Sequence, residues 1–154
     1  MSGVTKKQTF IVGGLIACSI FFWIAQKSQP VPVFAPQAVS VQDKTFTLEL
    51  AVTPEQMTLG LGERTSLCDM CALLFVFTRP ERQSFWMKGM LFPLDIVWLL
   101  DDTVVHIERD IPATTKDTFT PKERANRVLE WNAGAGKGLQ VGDRVFFSND
   151  GVGQ

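Results

Sequence analysis

The sequence predicts a mainly β (α+β) domain, a compact and mostly antiparallel barrel or sandwich of about seven strands with two short helices, behind an N-terminal membrane-anchor helix. Three observations predict it. Short apolar stretches with alternating or continuous β character recur along the chain from Lys44 to Ser148, separated by Gly, Pro and Asp turn signals. Two Thr-Pro steps, at Thr53 and Thr120, open only brief helical patterns. The chain has 154 residues, 45% of them apolar, which is enough for one core and too little for two.

The first segment reads as a membrane address. From Phe10 to Ala25 sixteen residues carry no charge, and a helix of that length covers roughly 24 Å of a hydrocarbon layer about 30 Å thick. Lys6 and Lys7, which can snorkel, help to close the gap. Two lysines before the run and Lys27 after it favour an N-terminus inside and an exported remainder. Residues 1–26 are therefore expected to be a single-pass anchor in a bacterial-type inner membrane, with the C-terminal domain extracytoplasmic. A cleaved signal peptide is one alternative. The other is a lipoprotein lipidated at Cys18, since Leu15-Ile16-Ala17-Cys18 resembles a lipobox. Residues 27–42 hold Pro30, Pro32 and Pro36 without an acid and are expected to be an extended tether, about 3.1 Å per residue. The domain is expected over residues 43–148, with 149–154 frayed.

Within the domain, Lys44 to Val52 alternates, with Phe46, Leu48, Leu50 and Val52 on one face, as in a half-buried strand. Thr53-Pro54-Glu55-Gln56 is a capping box opening a short helix, which Gly60 and Gly62 end. Ala72 to Thr78 is a continuous apolar run, short enough to be a strand buried on both faces. Ser84–Lys88 and Ile96–Leu100 are further strands around a bend from Gly89 to Pro93. Asp101-Asp102 joins the second of them to Thr103–Glu108 as a hairpin whose turn lacks glycine. Thr120-Pro121-Lys122-Glu123 repeats the capping box and is expected to open one helical turn before the strand Arg127–Asn132. Gly134 to Gly142 is a loop or a turn of helix, and Asp143–Ser148 is the last strand.

Charge narrows the function. The three lysines before Asp43 leave twelve of fifteen bases to face all sixteen acids, so the domain has no basic excess to displace counterions, and nucleic acid is not an expected partner. The single histidine, His106, would have to serve any zinc site or hydrolytic triad, and its place in Val104–Glu108 reads as a solvent-facing strand position. No metal or cofactor is expected. Gly134-Ala135-Gly136-Lys137-Gly138 fails the phosphate-loop pattern at Trp131 and Gly138, and the dinucleotide pattern at Leu139. Cys68 and Cys71 have redox-pair spacing. They precede a strand rather than a helix, and Asp69 lies between them, so a structural disulfide worth on the order of 2 kcal/mol is expected in an exported domain.

Ser84-Phe85-Trp86-Met87-Lys88 carries the most chemistry. In a strand Trp86 and Lys88 share one face and Phe85 and Met87 the other. A lysine among Trp86, Met87, Met90, Leu91 and Phe92 needs a carboxylate or an aromatic face, and Asp95, Glu130 and Asp143 are the candidate partners.

At these residues the chain resembles a known family. Gly60-Leu61-Gly62-Glu63-Arg64, Leu73-Leu74-Phe75-Val76-Phe77, Ser84–Lys88, Pro93-Leu94-Asp95-Ile96, Val128–Gly134 and Val141-Gly142-Asp143 follow the order seen in the DUF192 (UPF0127) family. The resemblance covers about residues 44–148. It departs at Gly89-Met90, where the family usually has Asn-Thr, and at Cys71-Ala72, where it usually has Gly-Met. It implies a small β-rich domain, often exported, and no established activity. On matching positions it implies a polar set of Arg64, Lys88, Asp95, Glu130, Asn132 and Asp143, with Trp86 beside them. Two functions are then expected. The first is an accessory module that binds a small anionic or carbohydrate ligand, or a partner protein, at this set. The alternative is an enzyme using Lys88 with Asp95 or Glu130 in acid–base catalysis.

Overall fold

The computed structural model describes residues 36–149. The expected anchor at residues 10–25, Cys18, the tether up to residue 35 and the chain end beyond residue 149 lie outside the described residues. Among the described residues no helix is long and apolar enough to cross a membrane.

Within the described residues nine strands and one helix follow in the order β1 Ala38–Val41, β2 Lys44–Ala51, α1 Pro54–Leu59, β3 Cys71–Glu81, β4 Phe85–Trp86, β5 Leu94–Leu100, β6 Thr103–Ile111, β7 Thr118–Phe119, β8 Ala125–Asn132 and β9 Phe146–Ser148. Seven of them form one curled, half-barrel sheet in the order β6-β5-β8-β3-β2-β1-β9, while β4 and β7 make a separate two-stranded ribbon. All pairings are antiparallel except β2 with β3, because the crossover between those two strands runs through α1.

The expected seven strands and two helices are corrected at several places, and of the expected strand Ser84–Lys88 only Phe85–Trp86 forms. Ala38–Val41 belongs to the sheet, not to the tether, and pairs with Lys44–Thr47. A two-residue turn joins them, with Gln42 at φ 55°. The short strand β7 pairs Phe119 with Phe85 and Thr118 with Trp86. The second helix does not form. The Thr120 hydroxyl, free to cap in a peptide, instead bonds Ser84 at 2.7 Å, and the Pro121 carbonyl accepts from Arg82 at 2.9 Å. Ribbon contacts thus take the groups that a capped turn would need.

The last strand is also divided. Residues 142–145 bond the edge of β6 through Val104, Asp102 and a Thr103–Arg144 bridge, and the chain then continues as β9 against β1. One segment thereby reaches both edges of the sheet and covers the start of the β6 edge, shortening the open edge that would invite pairing.

Elsewhere the local signals hold. Thr53 accepts from the Gln56 amide at 3.2 Å and the Gln56 side chain accepts from the Thr53 amide at 3.0 Å, the reciprocal capping box that starts α1. Asp101 turns the β5–β6 hairpin without glycine at φ 55°, because the Asn126 side chain bonds both its amide and its carboxylate.

Both faces of the sheet are covered. Val39, Phe46, Leu74, Val97, Leu129 and Trp131 pack on one face. Leu73, Phe75, Ile96, Trp98 and Val128 form the other, under Leu61, Leu67, Phe85, Met87 and Met90. This explains the uninterrupted apolar run of β3, in which Ala72 and Leu74 face one core and Leu73 and Phe75 the other. Each large side chain so buried contributes about 1.5 to 3 kcal/mol.

Candidate functional site

The ribbon alternates as its sequence requires. Phe85 and Met87 are buried in the core, with Phe85 edge-on to both Phe75 and Trp98 at ring distances of 4.9 and 5.7 Å. Trp86 and Lys88 therefore point outward, and Trp86 leaves 44% of its surface exposed. A large aromatic that exposed is a feature to account for.

Trp86 and Lys88 form the shared wall of two grooves. One, of about 620 Å³, is completed by Ala113, Thr114, Thr115, Lys116 and Thr118 from the segment before and within β7. Its charged groups are two lysines. The other, of about 660 Å³, is completed by α1 and its flanks and includes Glu55 and Glu63. Among the described residues no ion pair involves Lys88, so its expected pairing with Asp95, Glu130 or Asp143 does not occur. Lys88 lies in the turn after β4 and is exposed, while Met87 and Met90 on either side of it are buried, so its charge stays outside the core.

Glu130 is the opposite case. It lies mid-strand in β8, registered between Leu73 of β3 and Ile96 of β5, and is only 4% exposed. One carboxyl oxygen, Oε2, has no hydrogen-bond partner among the described residues. Burial pushes its pKa up to about 8, against the smaller opposing effects of a hydrogen bond to the Leu61 backbone and the Arg64 charge. Above it, at the end of α1, is Gly60 at φ 55°, where a Cβ would stand 3.0 Å from Oε2. The carboxyl lines a small pocket of about 100 Å³ between α1 and the ribbon, and Trp86 lines that pocket as well.

The other polar positions are engaged in holding the fold. Asp95, 1% exposed, accepts from the Asp110 amide at 2.8 Å and from the Gly134 amide at 3.0 Å. Asn132 donates to the Leu67 and Cys68 carbonyls, tying their loop to β8. Asp143 accepts from the Gln140 amide at 2.8 Å within a turn. Arg64 pairs with Glu49 at 2.8 Å on the surface. Cys68 and Cys71 are joined in a disulfide with a Cα separation of 5.2 Å. His106 bonds Glu108 two residues on at 2.9 Å, and its ring stands against Trp98. Among the described residues no cluster of three or more His, Cys, Asp or Glu is placed to hold a metal.

The structure thus brings Trp86 into one neighbourhood with Lys88 on the outside and with Glu130 beneath, and it separates Asp95 from them. Asp95 lines a different cavity, with Arg109 and Lys137. Sequence reasoning missed the threonines of residues 114–118, Lys116 and Glu63. Thr114-Thr115-Lys116 has no periodicity, and only the pairing of β7 with β4 brings it beside Trp86.

Comparison with known proteins gives the same fold and no activity. The model of the DUF192 family, described as "Uncharacterized ACR, COG1430", matches residues 37–147. No curated protein matches. A crystal structure from Sinorhizobium meliloti 1021, of a protein named as a candidate transcription regulator, is similar with a TM-score of 0.66 and 29% identity, over 71% of this chain and 90% of that one. A protein of unknown function from Novosphingobium aromaticivorans DSM 12444 is similar with a TM-score of 0.67 and 29% identity, over 77% of this chain and 89% of that one.

Proposed function

The chain belongs to the DUF192 family, and from that premise we propose that it is a membrane-tethered, extracytoplasmic binding module, which takes a small acidic saccharide in the groove walled by Trp86 and Lys88. One observation carries the reading. The groove joins an exposed indole to Lys88, Lys116 and three threonine side chains, with no acid in its lining. A flat aromatic face covers the apolar side of a sugar ring, hydroxyls meet hydroxyls, and two ammonium groups favour a carboxylate. The opposite groove, with Glu55 and Glu63, would repel the same ligand.

Calorimetric titration of the full chain with glucuronic acid, and with glucose as the uncharged control, tests this. Glucuronic acid should bind saturably and glucose weakly. Lys88→Met should abolish the difference while shifting the thermal midpoint little, since Lys88 is exposed and in no ion pair among the described residues. Equal binding of both sugars, or an unaffected Lys88→Met variant, would refute it.

Tethering rests on the uncharged run from Phe10 to Ala25, and an exported domain accords with the Cys68–Cys71 disulfide. Protease added to spheroplasts should digest the domain at once; protection until lysis would place it inside.

The acid–base alternative loses Asp95, because backbone amides occupy both of its carboxylate oxygens. It retains Glu130, whose raised pKa suits a general acid.

A further inference from the structure

Glu130 combines features that structural carboxylates rarely share: deep burial, an oxygen without a partner among the described residues, and an adjoining space that shares Trp86 with the lysine-lined groove and Thr58, Leu59 and Trp86 with the acidic one. Its neighbour Asp95 shows how a buried carboxylate is normally satisfied, by backbone amides on both oxygens. The space beside Glu130 is not a packing fault of small residues. Met57, Leu61, Phe75 and Met90 wall it, and Gly60 keeps it open, because a Cβ there would stand 3.0 Å from Oε2 and 3.5 Å from the Phe75 ring. Its volume of about 100 Å³ is room for roughly three waters, or for a group of three or four heavy atoms.

We propose that this pocket is a subsite for a short acyl or acylamino group, with the Glu130 carboxyl donating a hydrogen bond to the carbonyl oxygen and the apolar wall receiving the methyl. The assignment rests on the groove reading above, for it is the remainder of the same ligand that lies across Trp86, a residue lining both spaces. A buried carboxyl that keeps its proton at neutral pH is a donor, so it selects an acceptor such as a carbonyl rather than an anion or an ammonium group. A site built this way rejects a ligand lacking the acceptor, because the carboxyl is then left unpaired.

The decisive comparison is glucuronic acid against its 2-acetamido derivative, two anions that differ by one acylamino group, titrated calorimetrically into the full chain. The acetamido sugar should bind about tenfold more tightly, the yield of one buried hydrogen bond. Glu130→Leu, which removes a desolvated acid and should fold, ought to make the two sugars equal while both still bind. Met57→Phe, filling the pocket from the helix, should do the same should Glu130→Leu fail to fold.

Equal affinity of the two sugars for the wild-type chain overturns the subsite and leaves the groove reading standing. So does an acetamido advantage that survives both variants. If neither sugar binds, the groove reading falls, and the pocket is then tested alone with N-methylacetamide, followed by the methyl resonances of Met57 and Met90. Saturable shifts that Glu130→Leu removes uphold the subsite, and unperturbed methyls overturn it.

Discussion

Asp95 and Glu130 sit almost side by side in the sheet, yet the fold treats them differently. They belong to the paired strands β5 and β8, where Asp95 registers with Trp131 and Glu130 with Ile96. Because strand side chains alternate, the two carboxyls project from opposite faces. Asp95 emerges where β6 and the turn after β8 converge, and two of their amides bond its oxygens. Glu130 emerges beneath α1, where Gly60 and apolar side chains leave one oxygen without a partner. A buried acid is costly to solvate by protein, and the fold meets that cost at Asp95 and leaves it largely unmet at Glu130. The first acid is therefore part of the scaffold, and the second keeps an oxygen that the described residues leave unbonded.

The comparison is broken most directly at Asp95. Asp95→Ala strands the amides of Asp110 and Gly134, and each hydrogen bond to a charged group is worth about 1.5 to 3 kcal/mol, so the loss should be roughly 3 to 6 kcal/mol. Asp110 sits at φ 49°, a left-handed conformation that an L-residue holds only when braced, which adds to the cost. A urea titration of the full chain should show a much lower midpoint with the slope unchanged. A loss below 1 kcal/mol would mean that water replaces the carboxylate, and that Asp95 is no more structural than Glu130.

That asymmetry was only half legible in the sequence. Both acids belong to the polar set that the family pattern picks out, and nothing in Pro93-Leu94-Asp95-Ile96 or Leu129-Glu130-Trp131 says which one is satisfied. The partners of Asp95 come from positions 15 and 39 residues away, so the information is tertiary. What could be read locally was local in cause. The Thr53 box needs four residues, and β3 announces two-sided burial by its own composition. The second box at Thr120 failed because Ser84, 36 residues distant, took the capping hydroxyl. β1 was obscured by its prolines upstream, although Ala38-Val39-Ser40-Val41 alternates and the next strand begins two residues later. The outward aim of Trp86 followed from strand periodicity, whereas Lys88 lies in the turn after β4 and the groove beside both required β7.

Glu130 gives the smaller but more diagnostic effect. Its folded pKa of about 8 lies above the ordinary 4.5, so between those values the folded chain keeps a proton that the unfolded chain has released. Stability from this group is therefore full below about pH 4.5 and declines as pH rises to about 8, by on the order of 1 kcal/mol per pH unit. Glu130→Gln cannot titrate, and its own amide also lacks a partner, which offsets part of the gain; at pH 7 the variant should be more stable by only about 1 to 2 kcal/mol. The informative quantity is the trend. Urea midpoints of the two chains should run in parallel below pH 4.5, diverge in favour of Glu130→Gln up to pH 8, and run in parallel again above it. A constant difference from pH 5 to pH 8 would mean that Glu130 ionises normally, hydrated through an open pocket. The contrast with Asp95 would then be one of partners alone, and an uncharged donor would no longer be available to a bound carbonyl.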